Sequence, residues 1–182
     1  MKRIKKYLYG IVISVIVVVV AMIGVGVHYV WQTTWSPDFH ETTQVSWNGI
    51  QKESQKTREA VIIYREGCMW CQALKPHVQN VSRSFTTNDP VKFVYVNSRS
   101  SRGQDILKQI PLDIQSVPAI VLIDKSGHII QHVNFNGNDY QYPNNDQLFS
   151  LKEGVTTPTS PDDIRINDDM VRAIKEGDWQ HD

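Results

Sequence analysis

The sequence predicts an α/β fold, a central mixed sheet flanked by helices, with one transmembrane helix in front of it. Three observations predict it. An uncharged apolar run spans Tyr7 to Val30. Three short runs rich in Ile and Val follow, separated by segments of helical character. The third run is joined by turn residues to a further apolar stretch. Strands separated by helices call for parallel crossovers, and a closing hairpin adds an antiparallel edge.

The elements follow in chain order. Lys2, Arg3, Lys5 and Lys6 form a basic tail over residues 1–6. Residues 7–30 then read as a signal-anchor helix. As a helix, Leu8 to Val27 spans roughly 30 Å, the thickness of a bilayer core. Basic residues stay cytoplasmic and Tyr29, Trp31 and Trp35 suit the far interface, so the remainder of the chain is expected outside the cytoplasm. A cleaved signal peptide is the rival. The apolar run exceeds its usual ~7–15 residues, and no small-x-small site follows. Residues 31–46 lack periodicity and read as a tether.

The domain is expected over 47–182. Trp47 to Lys56 suits a short helix with Ser46 as N-cap. Ala60-Val61-Ile62-Ile63-Tyr64 is a continuous apolar run, typical of a strand covered on both faces. Arg65-Glu66-Gly67 ends it. Met69 to Phe85 reads as a helix interrupted by Pro76, and Val91 to Val96 as a second buried strand. Gly103 to Ile110 is a short helical stretch, and Ala119 to Ile123 a third strand. Lys125-Ser126-Gly127-His128 is turn chemistry, and Ile129 to Asn134 completes a hairpin. The polar stretch 138–160, with Pro143, Gly154 and Pro158, reads as a loop or insertion. A last helix is expected over about 167–177, with Asn167 as its cap, acids in its first turn and Gly177 at its end.

Nineteen basic residues balance nineteen acidic ones, so net charge points to no nucleic-acid partner. Cys68 and Cys71 are the only cysteines. A bridge between them closes almost no loop and adds little stability, so chemistry is the expected use. Cys68 follows a buried strand and opens a helix, where unpaired N–H groups and the helix dipole favour an anion. Its thiol is therefore expected to ionise readily and act as nucleophile. Cys71 lies one turn later on the same face, placed to resolve a mixed disulfide. A structural disulfide is the plainer reading. Zinc normally takes four ligands, and His77, His128 and His132 lack ligand spacing. A two-cysteine copper site uses a wider gap. No metal and no cofactor are expected.

Taken in order, the strand before Cys68-Met69-Trp70-Cys71, Pro76 five residues on, and Val117-Pro118 before the third strand resemble the thioredoxin superfamily across about Trp47 to Gly137. The resemblance implies a thioredoxin-like fold. It also implies a kink at Pro76 and a cis Val117–Pro118 bond facing the Cys68–Cys71 redox disulfide. Met69 and Trp70, between the cysteines, tune the potential but offer neither a histidine charge nor a proline, so they fix no direction. The buried carboxylate of that family falls at Ile62; Glu66 is the nearest acid, either a substitute or a solvated loop residue.

These departures resemble anchored thioredoxin-like proteins of Gram-positive bacteria, including the bacteriocin accessory type. The implied activity is thiol–disulfide exchange on cysteine-containing exported proteins or peptides, with an unidentified redox partner, and the expected place outside the cytoplasm favours oxidase or oxidase-assisting first and extracytoplasmic reductase second. The other reading is a membrane-anchored accessory or chaperone-like binding protein with a vestigial pair, the 138–160 stretch offering the partner surface.

Overall fold

A computed structural model describes residues 39, 41–43, 46–84 and 90–180. The expected basic tail and anchor helix, and most of the tether, lie outside the described residues. Among the described residues no helix is long and apolar enough to cross a membrane.

The central sheet has strand order β2-β1-β3-β4, built from Arg58–Tyr64 (β1), Val91–Asn97 (β2), Ala119–Ile123 (β3) and Ile129–Ile130 (β4). β1 is parallel to β2, with Ile62 opposite Tyr95. It is antiparallel to β3, with Ile62 opposite Ile120. Its β-branched residues suit this central place. Ala60, Ile62 and Tyr64 join one core layer, whereas Val61 and Ile63 join the other. That alternation is why the run carries no polar face.

One layer is closed by α1 (Trp47–Ser54) and α3 (Ser101–Leu107) through Trp47, Ile50 and Ile106. Ser46 and Ser100 cap these helices, accepting from Gly49 N at 3.1 Å and Gly103 N at 2.8 Å. The other layer is closed by α2 (Met69–Arg83), through Leu74, Val78 and Val81. The last helix, α5 (Asp168–Glu176), adds Val171 and Ile174 to the same layer. Buried Lys175 of α5 donates to Ser82 O at 3.3 Å and to Ser84 O, setting a cation on the last carbonyls of α2. α5 has the expected bounds and caps, with Asn167 Oδ1 accepting from Met170 N at 3.2 Å.

Five expectations are corrected. First, the strand after α3 does not arrive by a parallel crossover, since β3 begins opposite Ile63 at the end where β1 stops. The seven-residue α3 rises about 10 Å against about 23 Å for β2, and the stretch 108–118 that follows leads into β3 at the Tyr64 end of β1 rather than back to its Arg58 end. Second, the hairpin is cut short. After Ile130 the chain leaves for a second sheet, β6-β5-β9, made of Asn138–Gln141, His132–Phe135 and Asp178–Gln180. Ile130 and Val133 both enter one core layer; a spacing of three cannot hold one face of a single strand.

Third, the 138–160 stretch is not a loop alone. It carries β6, α4 (Asn145–Leu148) and β7 (Phe149–Leu151), which pairs with β8 (Ile164–Ile166). Tyr140, Tyr142 and Leu148 are buried, and Asn144 caps α4. Fourth, α2 continues through Pro76 to Arg83, because proline removes one N–H and the apolar face from Cys71 to Val81 keeps its packing. Fifth, the tether shortens. Phe39 is buried, stacks on Tyr95 at 4.7 Å and meets Tyr64 edge-on at 5.1 Å, while Thr42 N donates to Tyr95 O at 2.7 Å.

Candidate functional site

β1 ends at Tyr64, and Arg65-Glu66-Gly67 carries the chain over its rim. Gly67 sits at φ 70, which favours glycine and reverses the chain so that Cys68 becomes the N-cap of α2. Cys68 therefore takes the place usually held by Ser or Asp. Its Sγ accepts from Cys71 N at 3.3 Å. The same Sγ lies 3.7 Å from Val117 O, to which the thiol form donates. Both cysteines are free and buried, Cys68 to 5% exposure and Cys71 to 3%.

Their electrostatics diverge. The Cys71 thiol donates a hydrogen bond to Cys68, and with the Cys71 and Trp70 N–H groups and the Arg65 charge this outweighs burial. It lowers the Cys68 thiol to about 6. Cys71 is pushed up by that same hydrogen bond and then by burial. At neutral pH the geometry thus supports a Cys68 thiolate beside a protonated Cys71.

The expected supporting residues separate into those at the site and those away from it. Val117 and Pro118 are at the sulfur: their peptide bond is cis, Pro118 is buried, and the Val117 carbonyl receives Cys68. A second cis bond, Tyr142–Pro143, was not foreseen. Met69 and Trp70 are half-buried in the first turn of α2. Pro76 lies on the exposed side of α2, two turns past Cys68. Glu66 is exposed and accepts from Asn97 Nδ2 at 3.1 Å, pairing with that amide rather than with either thiol. Ile62 is fully buried, so no carboxylate lies there.

A buried acid does occur on β1, but at its other end. Glu59 is fully buried, ion-paired with Lys92 at 3.2 Å, and burial pushes its carboxyl up. It stands opposite Ile123, the far end of β3 from the cis bond. It is therefore remote from Cys68. Among the described residues no group of three or more His, Cys, Asp or Glu is placed to hold a metal ion.

Sequence reasoning missed one wall of the site. Trp70 meets Phe149 edge-on at 5.3 Å and 75°, and Asn145 Nδ2 donates to Ser116 Oγ at 2.8 Å. Together with Val117, Pro118 and Asp146 these residues line a cleft of about 290 Å³ beside the dithiol. Nothing in the local pattern of 138–160 marks Phe149 or Asp146. Arg65, whose charge helps lower the Cys68 thiol, was read only as part of the turn that ends the strand.

Fold and site define an α/β domain whose mixed sheet presents an ionisable dithiol at a helix N-terminus against a cis-proline loop. Among solved structures, the chain is similar to oxidised mitochondrial thioredoxin 3 from Saccharomyces cerevisiae. Identity is 19% and the TM-score 0.41, over 57% of this chain and 85% of that one. No family model matches the chain, and no curated protein matches it.

Proposed function

We propose that this protein is a thiol–disulfide oxidoreductase, held outside the cytoplasm by the 7–30 segment and acting on cysteines of exported proteins or peptides. The observation that carries the reading is the unequal pair: Cys68 lowered to about 6 at the N-terminus of α2, Cys71 raised beside it. A vestigial or structural pair has no need of such asymmetry. The anchoring and the outside location rest on the charge pattern of residues 1–30.

In the reductive direction the Cys68 thiolate attacks a partner disulfide, breaking that bond and expelling one partner sulfur as thiolate. Cys71 then loses its proton and attacks Cys68. The second partner sulfur leaves as thiolate, and Cys68 and Cys71 are joined, oxidised by two electrons. The oxidative direction is the reverse. The Cys71 N–H that holds Cys68 stabilises it whenever it is the leaving thiolate. Glu66 does not serve the proton transfer in this reading; water at the rim does.

The test is trapping. Cys71→Ser leaves attack intact and blocks resolution, so mixed disulfides through Cys68 accumulate with exported cysteine proteins. Their absence, with Cys68→Ser cells behaving as wild type, would sink the enzymatic reading in favour of an accessory role.

A further inference from the structure

The cleft beside the dithiol has two walls of different origin. One is the redox machinery itself, Trp70 with Val117 and Pro118. The other is α4 and the start of β7, contributed by the 138–160 stretch. This second wall is held firmly. Phe149 packs on Trp70, Asn145 ties α4 to Ser116, and Asn167 Nδ2 donates to Gln147 O at 3.1 Å behind it. Buried Leu148 roots the turn in the core.

The chemistry of the cleft is uneven. Trp70, Val117, Pro118 and Phe149 make it mainly apolar, and Asp146 is its one charged lining residue. Asp146 is exposed, and its carboxylate has no hydrogen-bond or ion-pair partner among the described residues; only its backbone N–H is engaged, by Asn144. An apolar trough with one unneutralised carboxylate at its rim complements an apolar side chain next to a cation. The volume suits one or two side chains rather than a cofactor.

We propose that the α4–β7 turn is a specificity element, selecting peptide segments that carry an apolar residue and a Lys or Arg on either side of the reacting cysteine. Val117 links the two functions, since its carbonyl receives Cys68 Sγ while the residue lines the cleft. The inference rests on the exchange reading above and adds the class of substrate. Phe149 takes the apolar side chain and Asp146 the cation; neither touches the sulfurs.

The experiment uses the full chain in its reduced form and disulfide-linked homodimers of two end-blocked tripeptides, Leu-Cys-Lys and Leu-Cys-Glu. Rate constants for reduction are divided by those obtained with dithiothreitol, which removes intrinsic differences in thiol reactivity. Wild type is expected to favour the Lys peptide about fivefold at low salt, the scale of one exposed charge pair. That preference should fade as salt is raised, fall towards one with Asp146→Asn and invert with Asp146→Lys. Phe149→Ala should erase the advantage of Leu-Cys-Lys over Gly-Cys-Lys. A wild-type ratio near one, or a ratio that Asp146→Asn leaves intact, overturns the proposal. Failure of wild type to reduce hydroxyethyl disulfide, which has no side chains to select, instead overturns the exchange reading beneath it. Because each ratio is measured within one variant, a partly folded variant lowers both rates and leaves the test valid.

Discussion

Removing the Cys71 thiol should raise the pKa of Cys68, and the structure sets how far. Cys68 lies at about 6, and the largest cause is the hydrogen bond from Cys71. An unperturbed cysteine titrates near 8.5, so the total lowering is roughly 2.5 units, and each unit corresponds to about 1.4 kcal/mol. A hydrogen bond to a charged group contributes about 1.5–3 kcal/mol, or roughly one to two units. Cys71→Ala should therefore move Cys68 to between about 7 and 8. It should not return to 8.5, because the Cys71 and Trp70 N–H groups and the Arg65 charge remain. Cys71→Ser keeps a donor at the same place and should stay near the wild-type value. The assay is the pH dependence of Cys68 alkylation by iodoacetamide, read beside thiolate absorbance. If Cys71→Ala titrates within about 0.3 units of Cys71→Ser, the hydrogen bond is not what stabilises the thiolate, and the reasoning fails.

Two further outcomes follow from the same geometry. Cys68 is an acid whose folded value is depressed, so its contribution to stability is full above about 8.5 and is lost as pH falls to about 6. Reduced protein should gain up to about 3 kcal/mol across that window. The gain should reverse at higher pH, where raised Cys71 opposes unfolded-state ionisation, and should vanish in Cys68→Ala; urea midpoints with equal slopes in both proteins would contradict it. Separately, a Cβ at Gly103 would lie 1.8 Å from Asn97 O and 2.7 Å from Asn97 C, both backbone atoms. Gly103→Ala should therefore cost about 2 kcal/mol or more despite the better helix former, and a raised urea midpoint would show that α3 can shift off β2.

How much of this was legible depended on whether a pattern is local. β3 and α5 have the expected bounds, because a five-residue apolar run and a capped amphipathic stretch carry their own signals. The place of Cys68 was equally legible, since a strand, Gly67 and a helical pattern adjoin it. The strand direction of β3 was not, because it depends on where the irregular stretch 108–118 leads the chain after α3. Nor was the second sheet: β5, β6 and β9 have three or four residues each, and β9 pairs with β5 from more than forty positions away. Trp179 shows the cost of reading such a segment alone, since its burial is decided by Val133 opposite it. For the same reason the site's second wall stayed hidden. Phe149 gains meaning only once β7 pairs with β8 and turns its ring onto Trp70. Glu66, read as either a substitute carboxylate or a solvated loop residue, is exposed and accepts from Asn97.

The reduction potential of the Cys68–Cys71 pair, measured by equilibration of the full chain in glutathione buffers, separates an exchanging pair from a structural one. Among exchange dithiols a nucleophile near 7 goes with about −270 mV, and for a two-electron couple one pK unit is worth about 30 mV. A Cys68 at about 6 therefore predicts a reversible couple near −240 mV. That value lies nearer a reductase than a strong oxidant of about −120 mV. A potential below about −300 mV, the range of structural disulfides, or no reversible two-electron titration at all, would contradict the claim that this dithiol exists to exchange.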